Sequence, residues 1–111
     1  GMKNGKLFSD NEIEKFKVSP FERAELYFVT RDYEKAMQLY TDFLNENKKN
    51  DDDEKIFKAL ERQLIYFVKI KKDFSLGLTY FKKMIEEKKI SDVFKPEVQD
   101  WVKMLSGKPL L

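Results

Sequence analysis

Apolar residues recur along this chain at helical spacing and never in strict alternation, a pattern that predicts helices throughout and no strand. The clearest stretch is Pro20–Leu44. Phe21, Ala24, Tyr27 and Phe28 make one stripe, and Thr30-Arg31-Asp32 interrupts it. Tyr33, Ala36, Met37, Tyr40, Phe43 and Leu44 then resume it. Ser19, Pro20 and Glu22 form a helix start. The serine hydroxyl can accept from the backbone N–H of Glu22, and proline at the first helical position gives up no hydrogen bond. Two helices of about three turns joined by so short a turn must lie antiparallel and in contact. Ala24 and Ala36 are small enough to let the two backbones approach.

Upstream, Ser9 with Glu12 makes a capping box and Phe8 can staple onto Ile13, so a short helix ending near Val18 is expected. Asn45–Asp53 contains no apolar residue and is expected to be a solvated loop. Its aspartate run lacks the glycine and the later glutamate of a calcium loop, and suits a helix start instead. Glu54–Lys72 is the longest helical pattern. Its wide apolar band, from Ile56 and Phe57 to Val68 and Ile70, suits a helix contacted on two sides. Lys71-Lys72-Asp73 breaks it. The next helix, Phe74–Lys88, is expected to turn Leu76, Leu78, Tyr80, Phe81, Met84 and Ile85 inward. Gly77 inside it costs about 1 kcal/mol against alanine, so it marks either a close helix approach or a tolerated accident. Ser91-Asp92 starts a last helix, with Pro96 in its first turn and Val98, Trp101, Val102 and Leu105 as a single covering stripe. Gly107 and Pro109 supply its stop.

Composition narrows the chemistry. The chain has 111 residues with no cysteine and no histidine, so disulfides, thiolate chemistry and the commonest general base are all missing. No cofactor and no metal site is expected, and no pair of carboxylates, tyrosines or lysines is set apart by spacing. The chain therefore reads as non-enzymatic. No apolar run approaches the roughly 20 residues of a membrane span, and no signal peptide is visible. Gly1 ahead of Met2 reads as a cloning remnant, and the expected setting is cytoplasmic. Formal charge is +2, too balanced to announce a nucleic-acid binder, but it is unevenly spread. Residues 1–54 carry 9 basic and 13 acidic side chains, whereas 55–111 carry 13 and 7.

Asp73 stands forty-one residues after Asp32, and the neighbouring residues match at the same offset. Tyr33 pairs with Phe74, Ala36 with Gly77 and Tyr40 with Phe81. With Ala24 and Tyr27 in the preceding helix, this pattern resembles the tetratricopeptide repeat. The second copy departs from that family at Ile65, where a small residue is usual, and the spacing exceeds the family's roughly 34 residues. The resemblance implies an all-α, right-handed αα-hairpin superhelix of about five to six helices in one domain over 1–111. Repeat 1 would cover about 20–47, repeat 2 about 54–89, and a capping helix about 92–106.

The resemblance also implies a partner protein or peptide in a concave groove. Mapping the family's groove positions gives Phe21, Glu25, Phe28 and Val29 in the first copy, and Arg62, Tyr66, Lys69 and Ile70 in the second. The family's carboxylate clamp of lysines and asparagines is not present as a set at these positions. Two alternatives are a nucleic-acid-binding module using Lys69, Lys71, Lys72, Lys82, Lys83, Lys88 and Lys89, and a purely structural bundle that self-associates.

Overall fold

A computed structural model describes residues 19–46 and 53–106. The short helix expected over 9–18 and the stop at Gly107 and Pro109 lie outside the described residues. Five α-helices are found among the described residues, and no strand. The chain divides into two compact units, Gly1–Asn47 and Lys48–Leu111, with the boundary in the polar stretch between helices.

In the first unit, α1 (Pro20–Val29) and α2 (Tyr33–Glu46) form the expected hairpin. The Ser19 hydroxyl accepts from Glu22 N–H at 3.3 Å, and Pro20 opens the helix. α1 ends in a Schellman turn: Asp32 N–H donates to the Tyr27 carbonyl at 2.9 Å and Arg31 N–H to Phe28 at 3.1 Å. The left-handed residue that such a turn requires is Arg31, at φ 68°. The Thr30 hydroxyl, buried here, donates back to the Leu26 carbonyl at 2.9 Å. Phe21 meets Phe43 at 5.2 Å and Phe28 meets Tyr33 at 5.5 Å, ring centre to ring centre, so the start of one helix lies against the end of the other. Ala24 and Ala36 are wholly buried, as expected of residues at a close crossing. Tyr27, Tyr40 and Leu44 complete the core, a buried leucine contributing about 1.5–3 kcal/mol.

In the second unit, α3 runs Asp53–Ile65 and passes without a break into a π-helix over Tyr66–Ile70. Within the stretch 45–53 expected to be a loop, Asn45 and Glu46 belong to α2 and Asp53 to α3, because helical hydrogen bonding extends into the polar sequence at both ends. α4 spans Phe74–Glu87, a single 3-10 turn spans Asp92–Phe94, and α5 spans Lys95–Leu105. Asp73 caps α4, its Oδ1 accepting from Leu76 N–H at 3.0 Å. The Ser91 hydroxyl caps the 3-10 turn, and Ser91 N–H donates to Asp53 Oδ2 at 3.2 Å, fastening that turn to the start of α3. Phe57 stacks on Phe94 at 4.7 Å and meets Phe81 edge-on at 6.3 Å. Ile56, Ala59, Leu60, Leu64 and Met84 are buried around them. α5 buries no residue completely, which fits a covering helix.

Gly77 has a physical reason. A Cβ placed on it would lie 2.7 Å from the Cβ of Phe67, so α4 crosses the preceding helix too closely for any side chain. Leu76 departs from expectation. It is 53% exposed, because the buried line of α4 runs through Gly77, Phe81 and Met84, and Leu76 falls outside that arc.

Candidate functional site

The π-helix alters the register on which the sequence mapping depends. In the first hairpin Asp32 N–H reaches back five residues, to the Tyr27 carbonyl. In the second, Asp73 N–H reaches back six residues, to the Phe67 carbonyl at 3.0 Å, and Lys71 N–H reaches Tyr66 at 3.1 Å. The left-handed residue before each aspartate is again basic, Arg31 at φ 68° and Lys72 at φ 58°. The two turns thus differ by one residue, which the wide turn absorbs. Counted back from the turns with that residue removed, Tyr27 falls at the position of Phe67, and Ala24 at that of the wholly buried Leu64, not at the half-buried Ile65.

Each expected site residue is found within its own unit. Phe21 is buried against Tyr40 and Phe43, so its ring serves the core and offers no docking surface. Glu25 is half-buried and accepts a hydrogen bond from the Tyr40 hydroxyl. Phe28 packs on the same Tyr40 ring at 6.3 Å. Val29 is exposed at 59%. In the second unit Arg62 and Tyr66 are half-buried, Tyr66 lying edge-on to Phe67 with the Lys71 ammonium 5.6 Å from its ring centre. Lys69 and Ile70 are exposed.

Shifting the first-copy positions by forty gives Glu61, Ile65, Val68 and Lys69. All four line a groove in the second unit between α3 with its π-helix and α5. The groove holds two adjoining hollows that share Trp101 and Met104. The larger, about 490 Å³, has Ile65, Val68 and Leu105 in its walls. Phe74 and Lys69 stand at its edge, and its lining is almost wholly apolar. The smaller, about 240 Å³, is ringed by Glu61, Glu97 and Asp100. At the junction the Trp101 indole N–H donates to Glu61 Oε2 at 2.8 Å, which fixes the ring between the two hollows. Phe74 is 49% and Met104 47% exposed, large apolar side chains left accessible beside an apolar recess.

Ile65, Val68 and Met104 were not expected as groove residues from the sequence, and Trp101 was expected only as part of a covering stripe. The difference lies in the wide turn over Tyr66–Ile70, where one extra residue rotates every later side chain by about 100°.

Among the described residues, no group of three or more acidic side chains is arranged to hold a metal ion, and no helix is long and apolar enough to cross a membrane. The lysines of the nucleic-acid alternative are exposed apart from the half-buried Lys88, and they are spread from the π-helix to the turn that follows α4. Tyr80 has a clearly perturbed acidity. Burial pushes its phenol above the usual 10, the hydrogen bond with Gln63 works against the rise, and Glu87 adds to it. Comparison with protein-family models, with curated proteins and with solved structures gives no match.

Proposed function

We propose that this chain is a non-enzymatic protein–protein interaction module that docks a segment of another protein in the groove between α3 and α5. The supporting observation is the apolar hollow beside Trp101, with Phe74 and Met104 accessible at its margin. Recesses of this composition take apolar anchors from a partner helix or strand. The register adds support, since the positions that a tetratricopeptide-like repeat would turn toward its groove become Glu61, Ile65, Val68 and Lys69 once the π-helix is counted. A right-handed superhelix of two such hairpins, with α5 as the cap, is part of the same reading. A cysteine-free chain accords with a cytoplasmic setting.

The test is affinity for a partner recovered by pull-down, measured calorimetrically with wild type, Val68→Glu and Val29→Glu. Groove docking predicts that Val68→Glu weakens binding at least tenfold at unchanged helicity, while Val29→Glu leaves it intact. Equal loss in both variants, or loss in Val29→Glu alone, would put the docking surface elsewhere. The superhelical part is tested by a solved structure. It stands if one rotation carries Tyr27, Asp32 and Ala36 onto Phe67, Asp73 and Gly77, and falls if none does.

A further inference from the structure

The groove is electrically asymmetric, and the asymmetry runs against the charge of its surroundings. Residues 55–111 carry 13 basic and 7 acidic side chains, yet three of those seven, Glu61, Glu97 and Asp100, ring one hollow. Eight residues along from Glu61, a distance of about 12 Å in a helix, Lys69 lines the other. Between the two ends the lining is apolar. The small hollow thus combines three carboxylates with the indole of Trp101, a setting that favours a cation by charge and by ring-face attraction.

Resting on the docking role proposed above, we infer that the occupant is an amphipathic helix of a partner protein with an arginine or lysine in its last turn. That cation seats over Trp101 among Glu61, Glu97 and Asp100. The helix's apolar stripe fills the larger hollow, and an acidic residue in its first turn faces Lys69. The direction follows from the charges at the two ends of the groove together with helix electrostatics: a helix is stabilised by acidic residues in its first turn and basic ones in its last, so the basic end lies at the carboxylates and the acidic end at Lys69.

The test uses three fluorescein-labelled peptides of about 15 residues, long enough to cover the groove as a helix. The first carries glutamates in the first turn, leucines at i, i+4 and i+7, and arginines in the last turn. The second exchanges the glutamates and arginines at constant composition. The third keeps the first peptide's charges and replaces its leucines with glutamine. Anisotropy at low salt is expected to give the first an affinity on the order of tenfold above the second, a gap that narrows in high salt. The double variant Glu97→Lys, Asp100→Lys, at two exposed positions, is expected to reverse the order. If the first two peptides bind alike and both outbind the third, the charge assignment is overturned while the groove stands. If leucines make no difference, or no peptide binds, the docking role itself falls. A dimer in sedimentation that Met104→Glu dissociates would make a second copy the occupant and overturn the inference.

Discussion

Gly77→Ala separates a designed close crossing from a tolerated glycine by sign alone. Were space available, alanine in mid-helix would stabilise by about 1 kcal/mol. The added methyl would instead stand 2.7 Å from Phe67 Cβ and 3.4 Å from Leu64 Cδ1. The nearer atom is fixed to the backbone and cannot move aside by changing rotamer, so α4 must shift away from α3 and its π-helix. Overpacking of that kind costs about 1–3 kcal/mol, and less the propensity gain of about 1 kcal/mol the expected net destabilisation is up to about 2 kcal/mol. Urea unfolding followed by fluorescence of Trp101, the only tryptophan and a member of the same unit, should show a midpoint lowered by on the order of 1 M. Background variants sharpen the test. Phe67→Ala keeps the offending Cβ, so Gly77→Ala should still destabilise there; Phe67→Gly removes it, and Gly77→Ala should then stabilise by up to about 1 kcal/mol. A wild-type background in which Gly77→Ala stabilises would refute the close-crossing argument.

Three further outcomes are expected. Tyr80→Phe should abolish a phenolate transition above pH 10, seen by absorbance near 295 nm. Because the folded phenol holds its proton above the pH at which the unfolded one releases it, this group's contribution is complete below pH 10 and is lost as pH rises through the folded value. The wild type should therefore lose more stability than Tyr80→Phe between about pH 9 and pH 11 in denaturant melts. Arg31→Gly should hold or raise stability by up to about 1 kcal/mol, since φ 68° strains any residue with a Cβ, and a clear loss in thermal unfolding would contradict the turn described here. Asp73→Ala should cost about 1 kcal/mol by removing the Oδ1 acceptor for Leu76 N–H, and Asp73→Asn should recover most of it, both read from thermal melts.

Much of the architecture was legible because local rules and packing agree. Ser19, Pro20 and the stripe from Phe21 to Phe28 specify α1, and the small Ala24 and Ala36 fall where α1 and α2 cross. The π-helix was not legible, since Tyr-Phe-Val-Lys-Ile fits an ordinary helical turn as well as a wide one. That single residue separates a mapping by forty-one, which gives Arg62, Tyr66 and Ile70, from the mapping by forty used in the proposal, which gives Glu61, Ile65 and Val68. The burial of Phe21 was not legible for another reason. Its position on the stripe suits both a groove and a core, and only the nearness of Tyr40 and Phe43 distinguishes them. Among the described residues, the left-handed positions Arg31, Lys72 and Lys89 gave no signal either, because glycine is the usual mark of such turns and basic residues stand there instead.

The groove between α3 and α5 can be interrogated through one nucleus. The indole N–H of Trp101 donates to Glu61 at the junction of the two hollows, and as the only tryptophan it gives an isolated indole resonance. Titrating the isotope-labelled protein with the glutamate-first, arginine-last peptide should shift that resonance saturably, together with the backbone signals of Val68, Lys69 and Met104. A Trp101 signal that stays in place while residues 20–46 respond, or a spectrum that does not change at all, would contradict the account.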